Sequence, residues 1–360
     1  MPEKKNQHYV PQFHLKNFSV NGDKKTIGLF NIASNKFIEN KAKIQHQSSE
    51  DYFYGKDLVF ENALEGIETV TSGNLKKIID TNYFPSRFSE EHHALISFVC
   101  LLWARTKYVE DRANEKVDKF TKQAFSQTFS NEELDLVRVR MDKAIQSVLS
   151  SAAKGSELLY DLNYRVLFNK TNIPFWTSDN PVVFYNQLLE SLRPYANNIG
   201  FASKGLQIIY PFSPKHCLLF YDGNTYGFGS DIKKIIEVVN ESDVERINLT
   251  QYINANENLY FNENFTDTYV KDFAKKFEGF RRLEKVFTKG FPNPEDPLKS
   301  YILQYEIEVR CNLKLSFIRL LMKTINQLSE IKENREIVIP RSSEIARLLD
   351  KLEETKEEKL

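Results

Sequence analysis

A chain of 360 residues with 41% hydrophobic and 13% aromatic residues can bury a substantial core as one large domain or two ordinary ones, which argues against a largely disordered protein. Lysine plus arginine equals aspartate plus glutamate at 49 each, so no global positive field draws in polyanions, and nucleic-acid binding would need a local basic patch. Cys100, Cys217 and Cys311 are isolated, odd in number and free of a Cys-x-x-Cys spacing, which fits a reducing cytoplasm and argues against a disulfide framework or a thiolate zinc site.

The opening stretch NQHYVPQFHLKNFS, residues 6–19, carries two histidines, three aromatics and a proline. Chain ends stay poorly ordered unless something ties them down, so this stretch is expected to dock into the body, beside PFWTSDNPVV at 174–183. Pro11 suits the first position of a short helix anchored by Phe13, Leu15 and Phe18. KTIGLFNI and NKFIENKA read as a hairpin around Ala33-Ser34-Asn35. From Asp57 the apolar spacing becomes helical through Leu58, Leu64, Ile67 and Val70 and stops before Pro85, although Gly66 and Gly73 weaken the case for one unbroken helix. Ser89, followed by acids, caps a long helix running through ALISFVCLLWA and on to Phe125, and Asn131 caps another reaching Lys154.

After Gly155 the texture changes. YRVLFNK, FWTSDNPVVFY, LQIIYPFS and HCLLFYDG are short β-branched or aromatic runs set too close for intervening helices, so antiparallel strands are expected. Ser242 and Glu245 form a capping-box pattern opening a helix read as continuing to Phe261, and a further helix covers DTYVKDFAKKFEGFRRL. SYILQYEIEVRCNLKLSFIRLL contributes a strand pair in part, and the tail from Ser342 is an amphipathic helix. The predicted fold class is α+β: a helical part at about 57–155 packed on a mainly antiparallel sheet at about 156–320. These form one unit over 1–330, with 331–360 as a C-terminal helix or tail. No run approaches the roughly 18 apolar residues of a membrane span, and no secretory h-region opens the chain, so a cytoplasmic protein with no membrane partner is expected.

Several residues can carry chemistry. Asp179 and Asn180 sit at a Ser-Asp-Asn-Pro break between apolar runs, where they either coordinate a hard cation and orient water or simply make an Asx turn. His8 is a metal ligand or general base, or else a packed, hydrogen-bonded ring. His92 and His93, behind acids in the first turn of a helix, read as solvated surface groups. Glu61, Glu65 and Glu68 follow an i, i+4, i+7 spacing along one helix stripe, a solvated face from which one acid could turn inward. Arg105 leaves an apolar helix and needs an anionic partner, with a structural pair to Glu68 and a substrate clamp equally compatible. No phosphate loop, GxGxxG, HExxH or GxSxG motif is present.

As a set, QHYVPQFHLKNF, ARTK at 104–107, PFWTSDNPVV, YPFSPKHCLLF and INLTQYINANENLYF resemble the signature of a widespread bacterial family of unknown function, over residues 6 to 262 and not clearly over the last hundred. The resemblance implies attention to His8, Arg105, Asp179, Asn180 and Asn248, and less directly to Glu68. It also implies that His14, where the family has tyrosine, is an aromatic packing position. From these residues the first expectation is a metal-dependent hydrolase of nucleic acid or nucleotide, in a defence or toxin setting. Asp179, Glu68 and His8 would hold Mg2+ or Mn2+, His8 would act as base, and Arg105 would stabilise developing charge. The alternatives are a non-enzymatic interaction or sensor protein, and a nucleotide-binding module in which Arg105 and Tyr9 or Trp176 clamp phosphate and base. Lys271 to Arg282 is the candidate local basic patch for nucleic acid.

Overall fold

The opening segment is anchored at both of its ends. In the computed structural model, which describes residues 5–193, 199–229, 234–262, 265–281, 286–293, 300–306, 309–334, 336 and 338–357, β1 (Asn6–His8) leads into α1 (Gln12–Lys16), directly after Pro11. The hairpin β2 (Thr26–Asn31) and β3 (Lys36–Lys43) follows, turning through Asn35 at φ +52°, and β4 (Ser49–Asp51) then returns to pair with β1. Of the predicted anchors, Leu15 and Phe18 are fully buried against Ile27, Leu29 and Tyr260, joined there by Val10, whereas Phe13 is half-buried with its ring 5.6 Å from Phe98.

The helical layer comes next. α2 (Val59–Thr81) runs unbroken through Gly66 and Gly73, which face open space and therefore cost only their propensity, about 1 kcal/mol each. α3 (Glu90–Ala104) begins where Ser89 accepts the His92 N–H and is buried along most of its length. The long helix expected from Ser89 to Phe125 breaks at Thr106, whose backbone is extended (φ −79°, ψ 156°) and whose hydroxyl donates to Asn180 Oδ1 at 3.0 Å. The chain restarts as α4 (Lys107–Phe125). The helix expected from Asn131 also splits. α5 (Asn131–Asp135) is capped by Ser130 in a capping box with Glu133, and α6 (Ala144–Gly155) begins nine residues later, because the Val139 and Met141 N–H groups donate to Asp118 and Asn114 of α4 instead of to helical carbonyls.

The second half is sheet-rich, as expected. β5 (Asn163–Asn169), β6 (Thr177–Ser178) and β7 (Val183–Tyr185) precede α7 (Gln187–Leu192). After them come β8 (Gln207–Ser213), β9 (His216–Tyr221), β10 (Tyr226–Phe228), β11 (Ile235–Val238), α8 (Glu241–Asn254), β12 (Asn258–Phe261) and α9 (Asp267–Phe277). The main sheet has the order β11-β5-β9-β8-β7, antiparallel throughout except for the parallel β11–β5 pair. Period-two alternation divides it cleanly. Tyr164, Val166, Ile208, Tyr210, Leu218 and Phe220 pack with α3 and α6. Leu167, Val183, Ile209, Cys217 and Leu219 pack with Val244 and Ile247 of α8. α8 is capped by Asn240, not by Ser242, and it ends at Asn254, so the last part of the expected helix is β12, which joins the smaller sheet β3-β2-β12-β6.

The remainder comprises the hairpin β13 (Val286–Pro292) and β14 (Ser300–Glu306), β15 (Ile318–Leu320) beside β10, α10 (Met322–Asn326), α11 (Leu328–Glu333) and α12 (Ser343–Glu357). The amphipathic helix expected at the end is α12, and its Ile345 is buried against Leu158 and Ala202. The architecture is the α+β mix read from the sequence, with mostly antiparallel sheets. Among the described residues no helix is long and apolar enough to cross a membrane.

His92 and His93 are not the solvated groups their setting suggested. His92 is fully buried against Tyr164, and His93 stacks on Tyr160 at 4.3 Å, because the first turn of α3 already lies under the sheet. Burial lowers the imidazole pKa of His14 to about 3 and those of His92 and His216 to about 4. Each therefore stays neutral in the folded chain while its unfolded counterpart takes up a proton below about 6.5, so stability present above that pH is lost as pH falls toward 4. The loss at pH 5 is about 2 kcal/mol per imidazole. Asp179, pushed up to about 6 by burial, and Asp111, also raised by burial, act in the opposite sense, against four lowered imidazoles once His8 is included. Calorimetric melting at pH 7 and pH 5 is expected to show a clearly lower midpoint at pH 5; an unchanged midpoint would contradict the burial of these rings.

Candidate functional site

The stretch 174–182 is held by amide side chains projecting from one helix. On α8, Asn248 accepts the Trp176 N–H at 2.8 Å and donates to the Pro174 carbonyl at 3.0 Å. Gln251 accepts from the Ser178 hydroxyl at 3.1 Å and donates to the Pro181 carbonyl at 2.9 Å. Asn254 donates to the Asn180 and Val182 carbonyls at 2.7 and 3.1 Å, and Asn180 donates back to the Asn254 carbonyl at 3.0 Å. Asp179 accepts the N–H groups of Asn256, Glu257 and Asn258 at 2.8, 2.8 and 3.0 Å. From the other side of that segment, the Arg281 guanidinium donates to the carbonyls of Tyr252, Ala255 and Asn256 at 2.7 to 2.9 Å.

These contacts occupy the groups that the sequence reading offered to a cation. Asp179 is 3% exposed, and its oxygens are committed to backbone amides, which draw its pKa down against the larger upward push of burial. Asn180 and Asn248 are likewise engaged with backbone. Among the described residues no three His, Cys, Asp or Glu side chains are gathered closely enough to hold a metal ion, so His8, Glu68 and Asp179 do not form the expected ligand set in this structure.

The other three candidates do come together. His8, at the end of β1, shares a pocket of about 350 Å³ with Glu61, Glu65 and Glu68 of α2 and with Gln12 and Lys16 of α1. The stripe of three carboxylates read from the i, i+4, i+7 spacing is thus one wall of that pocket. Behind it, Arg105 is 1% exposed and donates from Nη1 to Glu68 at 2.7 Å, while its Nε and Nη2 have no hydrogen-bond partner among the described residues. The Arg105–Glu68 pair anticipated from the sequence is therefore present. Burial lowers the His8 pKa below its ordinary value, opposed by the Gln45 carbonyl and Glu68 and assisted by Arg105 and Lys16, so the ring is neutral at pH 7.

The opening does lie beside the Ser-Asp-Asn-Pro stretch, and His14 makes the contact. Its Nε2 is 2.7 Å from the Thr177 hydroxyl, its Nδ1 is 2.8 Å from the Tyr210 hydroxyl, and its ring stacks on Tyr210 at 5.2 Å. It is the packing position the family resemblance implied, with both nitrogens in use. The proposed base clamps fare differently: Trp176 is fully buried, and the Tyr9 ring lies against Phe53 at 5.3 Å. The suggested basic patch is partly spent, since Lys271 pairs with Asp267 at 2.9 Å and Arg281 is consumed by carbonyls; Arg282 lies outside the described residues.

The sequence reading missed a cleft of about 410 Å³ between the end of α3, α4 and the segment around Phe201. Trp103, Tyr108, Arg112, Lys116, Phe184 and Phe201 line it. A signal was present: Arg112 and Lys116, at i and i+4, flank Ala113 on a face of α4 that also carries Val109 and Val117, an unusual mixture for a solvated stripe.

Replacing Asp179 by Ala leaves three buried amides without an acceptor and is expected to destabilise the fold by about 3 kcal/mol or more. Chemical denaturation measures the cost, and hydrogen exchange should accelerate at residues 256–258. A stability equal to the parent's would show that the carboxylate is not a structural clamp.

The comparisons with known proteins come down to one match. Neither the curated proteins nor the solved structures compared with the chain include one that matches it. A family model described as a protein of unknown function, DUF4238, matches residues 6–265, from the anchored opening through α8 and β12. With well over half of its length covered, including every stretch that carried the resemblance, the chain belongs to the DUF4238 family.

Proposed function

We propose that the protein is a hydrolase whose chemistry is centred on His8, with phosphodiesters of nucleotides or nucleic acid as its substrate class. The observation that carries this reading is a neutral imidazole sharing a polar pocket with Glu68, whose carboxylate is held in place by the buried Arg105. A neutral imidazole can accept a proton from water at pH 7, and an ion-paired carboxylate is a fixed hydrogen-bond acceptor beside it. Charge constrains the substrate. Three glutamates repel a phosphodiester, so the reading requires a divalent cation, Mg2+ or Mn2+, taken up at Glu61 and Glu65 beside the fixed Glu68. Asp179 has no part in it, because its oxygens are already bonded to three amides.

A second reading, non-catalytic recognition of a small ligand, is favoured by one separate observation: the larger cleft is walled by aromatic rings and lined by no pair of carboxylates.

Thermal melting with added Mn2+, Mg2+ or Zn2+ tests the first reading. Binding to the folded state alone raises the midpoint, and the rise should vanish in a folded Glu65→Gln variant. With bis(p-nitrophenyl) phosphate as substrate, His8→Gln is expected to lower turnover by about a hundredfold or more, and the acid limb of kcat/KM should fall below pH 6.5, because burial lowers the His8 pKa. No midpoint shift with any of the three ions, together with no turnover, would remove this reading.

A further inference from the structure

The aromatic cleft has the composition of a binding site for an organic anion. Trp103 stands 5.0 Å from Phe184 and 5.5 Å from Phe201, and Phe184 stacks on Phe201 at 5.5 Å with an interplanar angle of 22°. Three mutually packed rings give a rigid wall, and the cleft volume of about 410 Å³ falls within the range of small-molecule sites. Aliphatic side chains of Val109 and Val148 continue the apolar lining.

Positive charge enters from α4. Arg112 and Lys116 are one turn apart on the same face. The Arg112 guanidinium is ion-paired through Nη1 with Glu115 and lies 5.5 Å from the centre of the Tyr108 ring, yet its buried Nε has no hydrogen-bond acceptor among the described residues. Lys116 is paired with Glu306 at the edge of the cleft. A buried guanidinium N–H lacking an acceptor is costly, and an oxyanion presented from the cleft would satisfy it.

We propose that this cleft binds a small organic anion with a flat apolar body, the body lying against Trp103 and Phe201 and a single carboxylate or phosphate head reaching Arg112. The apolar walls select the body. A nucleobase would leave its hydrogen-bonding edge against aromatic rings, and Asn254, an amide that also lines the cleft, already donates to the Asn180 and Val182 carbonyls. An aromatic or aliphatic acid is therefore the better fit than a mononucleotide. Glu306 and Val309, which close one side, lie beyond the residues matched to the family, so the choice of ligand depends partly on the chain outside the family region.

Isothermal calorimetry on the full chain tests this with three probes: 2-naphthoate, its neutral counterpart 2-naphthylmethanol, and adenosine monophosphate. The expected result is saturable binding of 2-naphthoate, about tenfold tighter than the alcohol, with the preference abolished in Arg112→Gln and partly kept in Arg112→Lys. Arg112 is half-buried at the cleft, and unchanged melting midpoints confirm that both variants fold. Absence of saturable naphthoate binding to the parent protein would overturn the proposal, as would a carboxylate preference that survives Arg112→Gln. Tighter binding of adenosine monophosphate than of naphthoate would overturn the apolar-body assignment. None of these outcomes bears on His8, whose pocket shares no lining residue with this cleft.

Discussion

The structure depends on how the segment after α8 is gripped. Helix ends leave carbonyls without intrahelical partners, and the residues beyond them leave amides to be satisfied. Here the two needs are met by opposite charges. The Arg281 guanidinium takes the carbonyls of Tyr252, Ala255 and Asn256, and the Asp179 carboxylate takes the amides of Asn256, Glu257 and Asn258. The carboxylate is buried and the guanidinium partly so, and each is compensated by peptide dipoles, which is the condition under which a charge withdrawn from water is tolerable. The clamp sets the direction in which the chain enters β12, and β12 joins the opening hairpin to the 174–182 stretch, pairing with β2 on one side and β6 on the other.

The same stretch fixes the helical layer. Asn180 accepts from Thr106, and Thr106 is where α3 ends and α4 begins in a new direction. That break separates two neighbourhoods within a few residues of chain. Arg105 turns to Glu68 and the pocket of His8, whereas Trp103, Tyr108 and Arg112 line the aromatic cleft. One hydrogen bond at a helix break thus connects the Ser-Asp-Asn-Pro stretch to both cavities, although Ser178, Asp179 and Asn180 line neither of them.

Much of the architecture was legible because it rests on local chemistry. Alternating apolar runs bounded by Pro, Gly, Asn and Asp became β5, β7, β8 and β9, and Ser89 capped α3 as its position before two acids indicated. The failures share one cause. The helices expected to run through Thr106 and through Val139 have adequate propensity, but Asn180, Asp118 and Asn114 offer backbone and hydroxyl groups better partners from elsewhere in the fold. His92 and His93 were misplaced for a related reason: acids in the first turn describe the helix end, not what packs over it.

For the sites, the sequence by itself determined which side chains stand on a common helix face, and so it brought Glu61, Glu65 and Glu68 into line and paired Arg105 with Glu68 as one of two options. It also marked Asp179 and Asn180 as candidates at the Ser-Asp-Asn-Pro break, with Asn248 added by the family resemblance alone. It could not show what constraint each meets, since Asp followed by Asn-Pro has the same local chemistry whether its oxygens meet a cation, a water or three amides. Only the tertiary structure decided that, by placing residues 256–258 within hydrogen-bonding distance of Asp179 and by folding Trp103 of α3 against Phe184 and Phe201 from distant parts of the chain. Periodicity reports the neighbours along an element; the partner across a packed interface is set by contacts between segments far apart in sequence, which no local pattern encodes.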